Sequence, residues 1–173
     1  MKGTILKCLQ EMVESQHGKP VWQEILDEAG LQGSRFFTLS SDVADADAVA
    51  LFQATASVLE LGFQDAANAF GDHWVNVYAP RVYQTIYGRL KSAREFILAM
   101  DGVHVMVTNT IENAHPPRFE YEEQADGTLL VTYKSQRGLI DIYIGLVYGV
   151  GKFFDTPLQV TKLSARQVRI RFP

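Results

Sequence analysis

The stretch Tyr133-Lys134-Ser135-Gln136-Arg137 ends a predicted β-strand and places three hydrogen-bonding side chains on one side of it. Side chains alternate between the two faces of a strand, so Tyr133, Ser135 and Arg137 project together. Two hydroxyls and a guanidinium are all donors, and the planar guanidinium can hold a carboxylate through two parallel bonds. The pattern therefore predicts a site for a planar ligand that carries a pair of carboxylates.

His104 could supply the other half of such a site. It lies in a predicted helix beside the apolar residues Val103, Met106 and Val107. A neutral imidazole in apolar surroundings is a good fifth ligand for haem iron and leaves the sixth position open to a gas. The simpler alternatives are a core histidine and a polar strand face, but a buried polar row is costly without anionic partners. We therefore expect a haem bound through His104, with its propionates held by the three strand residues.

Four motifs, taken in order, resemble the H-NOX family, the haem nitric oxide/oxygen-binding domains. They are Met1-Lys2-Gly3, Asp101-Gly102-Val103-His104, Pro116-Pro117-Arg118-Phe119 and Tyr133-x-Ser135-x-Arg137, and the similarity runs to about residue 172. Each motif alone is common, whereas the ordered set is specific. The family includes the sensor domain of soluble guanylate cyclase, and this chain resembles its stand-alone bacterial nitric oxide sensors.

The resemblance implies a cofactor, haem b, and a role for each site residue. His104 would be the axial ligand, and Pro117 would press on the porphyrin and bend it from planarity. On the distal side we expect a largely apolar set of side chains, namely Ile5, Leu9, Trp74, Val75, Tyr78, Leu139, Ile142 and Leu146.

Position 142 bears on which gas is bound. Oxygen-binding members carry a tyrosine there, whose hydroxyl donates to dioxygen, whereas this chain has Ile142. Polarised dioxygen gains from a donor more than nitric oxide or carbon monoxide does. The sequence thus favours nitric oxide, with the Trp74 N–H and the Tyr78 hydroxyl left as the two donors that could point inward. His73 would project about 100° away from Trp74, so we do not expect it to bind the iron.

The implied function is a gas sensor and not an enzyme. Nitric oxide would weaken the bond between iron and His104 and release its helix, and the movement would be read in trans. The partner implied is a histidine kinase or a cyclic-di-nucleotide enzyme. Two alternatives stay open: a haem enzyme with peroxidase-like or dioxygenase chemistry, and a carrier of gas or haem.

The composition fits a cytoplasmic protein with one domain over residues 1–173. The net charge is −4 with no basic run, which argues against binding to nucleic acid or an anionic membrane. No apolar stretch is long enough to span a bilayer, and the N-terminus does not resemble a signal peptide. A single cysteine, Cys8, excludes an intramolecular disulfide.

Hydrophobic periodicity predicts helices first and strands later, which is an α+β arrangement. Helices are expected over residues 4–16, 20–30, 44–61 (capped by Ser40 or Ser41), 64–77, 91–100, 103–113 and 139–154, with a loop at 34–39. Strands are expected over residues 118–123, 128–134, 158–164 and 167–172, as one four-stranded antiparallel sheet. We expect a helical N-terminal lobe (about 1–62) and a second lobe with the sheet (about 63–173), with the haem between them.

Overall fold

The computed structural model describes residues 1–31 and 37–173. Its helices are α1 (Gly3–His17), α2 (Lys19–Glu28), α3 (Asp45–Val58), α4 (Phe63–His73), the short α5 (Ala79–Val82) and α6 (Gln84–Tyr87), α7 (Ala93–Thr110) and α8 (Ile140–Phe153). A π-helical segment, Trp74–Tyr78, continues α4. The strands are β1 (Arg118–Glu123), β2 (Leu129–Lys134), β3 (Gln159–Lys162) and β4 (Gln167–Arg171). The predicted α+β class is confirmed, and residues 34–36 of the loop expected at 34–39 lie outside the described residues.

The four strands form one antiparallel sheet in the order β1-β2-β4-β3. β1 and β2 are a hairpin in which Phe119 faces Tyr133, and Asp126 closes the turn by accepting from the backbone N–H of Thr128 at 3.0 Å. Alternation of buried and exposed residues is clear in β2, where Leu129, Val131 and Tyr133 are buried. The hairpin therefore fixes the position of the segment that follows Tyr133, at the end of the inner strand β2.

Two hydrophobic clusters fill the molecule, and α8 contributes to both. The first cluster joins α1 to α4 and includes Leu139 and Ile142 at the start of α8. The second lies between the sheet, α7 and the other faces of α8, and it includes Tyr143 and Val147. Because α8 is apolar on nearly all sides, it is buried and lies between the two clusters.

α4 and α8 cross with their backbones in direct contact at three glycines. A Cβ added at Gly145 would lie 2.1 Å from the carbonyl oxygen of Ala67, and one at Gly71 would lie 2.1 Å from Gly145. Gly149 is similarly close to Gly71. Gly145 and Gly149, four residues apart on α8, permit this close approach, and α4 is the element that makes it.

The predicted N-cap of α3 is wrong. The cap is Ala44, whose methyl side chain cannot bond to the free N–H groups of the first turn. Ser41 instead takes part in a local turn, where its hydroxyl donates to the carbonyl of Thr38 at 3.0 Å. α3 also ends at Val58, before the predicted residue 61, because Glu60 adopts a positive φ of 53°.

The two helices predicted over 91–100 and 103–113 are one continuous helix, α7. Ser92 caps it by accepting from the backbone N–H of Glu95, and the helix passes through Gly102 without a break. A single glycine costs a helix only about 1 kcal/mol, which the packing of the helix easily offsets. Asp101 and His104 therefore lie one turn apart on the same rigid element.

The helix predicted over 64–77 changes its hydrogen-bonding pattern after His73, and periodicity alone gave no sign of this. Among the described residues, no single helix is both long and apolar enough to cross a membrane. By length and composition alone, α3 together with the Phe63–Val82 run would qualify as a broken span, with a bend of 108° between them.

Candidate functional site

His104 has one ring nitrogen engaged and the other available. Its Nδ1 lies 2.7 Å from the carbonyl oxygen of Pro117. Since a carbonyl only accepts, Nδ1 carries the proton and Nε2 keeps its lone pair. Burial lowers the pKa of His104, against the opposing effects of the Pro117 bond and of Asp101, so the ring is neutral at pH 7. A neutral imidazole oriented by a backbone carbonyl is the form that binds a haem iron, so His104 fits the expected axial ligand.

Asp101 holds the His104 helix against the first strand. Its carboxylate accepts from Nε and Nη2 of Arg118, both at 2.7 Å, and from the backbone N–H of Phe119 at 2.8 Å. The Arg118 bonds lower the pKa of Asp101 to about 2, with burial acting in the opposite direction. The ring of Phe119 lies 5.4 Å from that of His104. The imidazole is therefore fixed by its own helix and by the Pro117–Phe119 turn together.

Tyr133, Ser135 and Arg137 come together at the end of β2, but only Tyr133 lies on the strand. β2 ends at Lys134 and Arg137 lies in the turn that follows, so the prediction of one strand face for all three residues is wrong. Tyr133 is buried, and burial raises the pKa of its hydroxyl while Ser135 and Arg137 act in the opposite direction. The Ser135 hydroxyl accepts from the backbone N–H of Arg137 at 3.2 Å. The Arg137 side chain is only 15% exposed, and its Nη1 donates to the carbonyl oxygen of His115 at 2.6 Å.

A carboxylate of the chain itself, that of Asp45, faces the Arg137 guanidinium. Nε of Arg137 lies 2.9 Å from Oδ1 of Asp45, and the N-terminal ammonium lies 2.8 Å from the same oxygen. Burial alone would raise the pKa of Asp45, but the bonds from Arg137 and the N-terminus lower it overall. Arg137 is thus set to bind carboxylates, which is the chemistry that haem propionates require.

The residues expected on the distal side lie largely in the first hydrophobic cluster. Leu9, Tyr78, Leu139 and Ile142 are buried members of it, and Ile5, Trp74 and Leu146 pack against it. Val75 is an exception: it belongs to the second cluster and lies beside Gly149. Seven of the eight expected distal residues therefore belong to or pack against one cluster, and Val75 belongs to the other.

The Tyr78 hydroxyl is already bonded within the protein. It lies 3.3 Å from Oγ1 of Thr4, and the Tyr78 ring stacks on Trp74 with centroids 5.5 Å apart. Burial raises the pKa of Tyr78, with the Thr4 bond opposing, so the phenol stays protonated. His73, next to Trp74 in sequence, lines a cleft with Glu11 on the other side of the same backbone. His73 and Trp74 thus diverge as the sequence predicted.

Sequence reasoning missed the residues that support the site through long-range contacts. These are Thr4, Asp45, Asp101, Arg118 and the N-terminal ammonium. Asp101 and Arg118 lay inside recognised motifs, and their opposite charges were a usable signal. Nothing local marked Asp45, because its contact with Arg137 exists only after the chain has folded.

Comparison with known proteins gives a consistent result. A model of the family described as haem-NO-binding matches residues 2–162. The chain is 24% identical to the soluble guanylate cyclase gcy-34 of Caenorhabditis elegans over 98% of its own length. It is 35% identical to the soluble guanylate cyclase subunit beta-2 of Rattus norvegicus over 50% of its length. The aligned part is 26% and 13% of these two proteins, so the chain spans at most about a quarter of the cyclases.

Solved structures share the fold across the whole chain. An H-NOX protein from S. oneidensis in the Fe(II)NO state superposes with a TM-score of 0.88 at 22% identity, covering 100% of this chain and 99% of that one. An oxygen-binding H-NOX domain related to soluble guanylate cyclases superposes with a TM-score of 0.81 at 24% identity, covering 99% and 95%. The family match extends over nearly all of the sequence, from the N-terminal residues through β3. The chain is a member of the haem-NO-binding family.

Proposed function

We propose that this domain is a nitric oxide sensor that also binds carbon monoxide and passes its signal to a separate protein. Its family binds haem b, and a ferrous haem supplies an open coordination position for a diatomic gas. In this proposal His104 is the axial ligand, and Tyr133, Ser135 and Arg137 hold the propionates. Pro117, whose carbonyl oxygen accepts from His104, would press on the porphyrin and bend it from planarity.

The preference for nitric oxide over oxygen rests on the packing around Ile142. Ile142 is buried in an apolar cluster with Leu9 and Leu139, and the hydroxyl of Tyr78 is engaged by Thr4. Dioxygen needs a hydrogen-bond donor more than nitric oxide does. A distal side built from these residues favours the gas that does not depend on a donor.

The transmission of the signal would start at His104. α7 is held at this end by the Nδ1 contact with Pro117 and by the Asp101–Arg118 bridge. The segment that follows the C-terminal end of α7 is tied to the other half of the chain, because Nδ2 of Asn113 donates to Asp42 at 3.1 Å. A change in the pull on His104 would therefore reach residues 1–62 through α7, and we propose that these residues and 63–173 act as two lobes with the haem between them.

The receiver of the signal would be a histidine kinase or a cyclic-di-nucleotide enzyme in the cytoplasm. The cyclases similar to this chain are much longer than the part that aligns. A sensor that works in trans needs such a partner for its output. Mixing the haem-loaded protein with a candidate kinase, with and without nitric oxide, tests this step directly.

Absorption spectra of the purified ferrous protein test the gas preference, and Ile142→Tyr sharpens the test. The wild-type protein should bind nitric oxide and carbon monoxide and should form no stable complex with oxygen in air. One added hydroxyl is worth about 0.5–1.5 kcal/mol, so oxygen affinity of the variant should rise by roughly tenfold at most. Flash photolysis would give the oxygen affinities.

Ile142→Phe is the matched control, because it adds a ring without a hydroxyl. Its oxygen affinity should not rise. A wild-type protein that isolates as a stable oxygen complex would contradict the preference for nitric oxide. Turnover of peroxide, or gas binding without any effect on a partner, would favour an enzyme or a carrier instead.

A further inference from the structure

A threonine hydroxyl lies between two tyrosine hydroxyls beside the residues expected on the distal side. Oγ1 of Thr4 is 3.3 Å from the hydroxyl oxygen of Tyr78 and 3.5 Å from that of Tyr83. Thr4 and Tyr78 are buried, and Tyr83 is half-buried. The rings of both tyrosines also contact the ring of Trp74, with centroids 5.5 and 6.2 Å away. The three hydroxyls therefore form one small polar group next to an apolar cluster.

The position of Thr4 is fixed by the residues around it. The backbone N–H of Gly3 donates to the carbonyl of Ser41 at 2.7 Å, and a Cβ added at Gly3 would collide with the carbonyl of Thr38. Thr4 is the second residue of α1, so no preceding helical turn offers a carbonyl that its hydroxyl could bond. The Thr4 hydroxyl is therefore held in place and available to the two tyrosines.

The chemistry of these groups favours one direction for the hydrogen bonds. A phenol oxygen shares its lone pairs with the ring, so a phenol is a better donor and a poorer acceptor than an aliphatic alcohol. The oxygen of Thr4 has two lone pairs and can accept from Tyr78 and Tyr83 together. In this arrangement both phenol hydrogens point at Thr4, and neither is directed at a gas.

We propose that Thr4 sets the preference against oxygen by engaging the two phenols that could otherwise donate to it. The inference rests on the proposed haem site and names a residue that controls its selectivity. Tyr78 belongs to the same cluster as Leu9 and Ile142, so its hydroxyl is close to the residues expected around the gas. A buried donor without a partner is costly, and dioxygen is the gas that gains most from a donor. Thr4 is thus a positioning residue, which acts through Tyr78 and Tyr83.

The test is Thr4→Val, which keeps the shape of the side chain and removes its hydroxyl. The affinity of the ferrous protein for oxygen should rise roughly two- to tenfold, the value of one neutral hydrogen bond, while nitric oxide and carbon monoxide binding should change little. Thr4→Ser keeps the hydroxyl and should behave as the wild type does. In the double variant Thr4→Val/Tyr78→Phe the gain in oxygen affinity should be lost, because the released donor is gone.

Two spectroscopic readouts do not depend on oxygen binding. In ¹³C NMR of the carbon monoxide-bound protein with labelled tyrosines, Thr4→Val should shift the signals of Tyr78 and Tyr83 among the seven tyrosines of the chain, and Thr4→Ser should not. The infrared C–O stretch should move to lower frequency in Thr4→Val, since a donor near bound carbon monoxide weakens the C–O bond.

Thr55→Val is the matched control, because it removes another buried threonine hydroxyl. That hydroxyl donates to the carbonyl of Leu51 at 2.7 Å within α3. Oxygen affinity, the tyrosine signals and the C–O stretch should all stay as in the wild type.

An unchanged Tyr78 signal in Thr4→Val, or an oxygen affinity that does not rise, would overturn the proposal. A fall in oxygen affinity would mean that Thr4 itself donates to the gas. Should Thr4→Val fail to fold, Thr4→Ala removes the same hydroxyl and carries the same test. A wild-type protein that isolates with oxygen bound counts against the proposed function. A wild type that rejects oxygen, with Thr4→Val no different, counts against Thr4 alone.

Discussion

His104 is held by one ring nitrogen and offers the other, so removal of the ring gives a direct prediction. His104→Gly should yield protein that loses haem, because Nε2 is gone while the space of the ring remains. Added imidazole should restore binding by filling that space. The Soret absorption of the purified variant, with and without imidazole, measures this.

His115→Ala is the control for the His104 prediction. The His115 side chain is exposed, and it is the main-chain carbonyl of His115 that accepts from Arg137. Haem binding should therefore be unaffected by the loss of the side chain. An unchanged Soret spectrum of His104→Gly without imidazole would remove His104 as the axial ligand.

Arg137 gives a second prediction at the same scale. Arg137→Ala should speed haem dissociation, because two carboxylates lose a charged partner in a mostly buried place. The loss for a desolvated charge pair is roughly 2–5 kcal/mol. Arg137→Lys should recover only part of it, since an ammonium cannot reproduce the planar fork. Haem transfer to apomyoglobin measures the rates.

Arg89→Ala, at an exposed site between α6 and α7, is the control for Arg137. If haem dissociated at the same rate from wild type and from Arg137→Ala, Arg137 would not hold the propionates. Tyr133, Ser135 and Arg137 would then be only a polar group at the end of β2.

At the scale of elements, Asp101 connects α7 to β1 through its bonds to Arg118 and Phe119, and these bonds depend on its negative charge. Its pKa of about 2 is lower than the ordinary value, so the stabilisation is complete above about pH 4 and is lost as the pH falls towards 2. Asp101→Asn should therefore lower the free energy of unfolding at pH 7. The difference from wild type should shrink between pH 4 and pH 2, as urea denaturation would show.

Glu122→Gln, on the exposed side of β1, is the matched change of charge and should have little effect at pH 7. A constant difference between wild type and Asp101→Asn across that pH range would mean that the Asp101 carboxylate does not support the joint.

Elements with strong local signals were predictable from the sequence. The strands and α8 follow from alternation and from a continuous apolar run, and the structure has them within two residues or so of the predicted ends. Gly102 was misleading, because its local cost is small beside the packing of a helix of 18 residues. The π-helical segment was missed, since its cause is tertiary packing and not a sequence period.

The site was predictable to the extent that its residues sit in short motifs. Tyr133, Ser135 and Arg137 lie together because they are close in sequence at the end of β2. The strand stops at Lys134, so the predicted alternation did not extend to Ser135 and Arg137. The carboxylate of Asp45 beside Arg137 was not predictable, because an α3 residue meets the end of β2 only through the arrangement of the whole chain. Val75 was misplaced for a related reason: it packs beside Gly149 in the other cluster, a contact that also depends on the tertiary fold.

For the whole molecule, the contact between α4 and α8 sets how the two clusters fit together. Gly145→Ala would force a Cβ to within 2.1 Å of the Ala67 carbonyl, so the helices must separate. We expect a loss of about 1–3 kcal/mol or more in the free energy of unfolding. Thermal and urea denaturation of the haem-loaded protein measure it.

Gly102→Ala is the matched control, because nothing lies within 4 Å of the added Cβ in the middle of α7. Its helix should gain about 0.5–1 kcal/mol. Equal stability of wild type and Gly145→Ala would mean that α4 and α8 can adjust their spacing freely.

The same glycine contact has a mechanical consequence. Where the backbones of α4 and α8 touch at these glycines, no side chain lies between them that could change rotamer. We therefore expect the two helices to move together as one rigid unit. As a result, a displacement that arises near Ile142 on α8 should move Phe70 and His73 on α4 as well. Relative movement of the elements should then occur where they are joined by exposed polar contacts. One such contact is the hydrogen bond from Asn113 to Asp42, which can open and close at little cost in free energy.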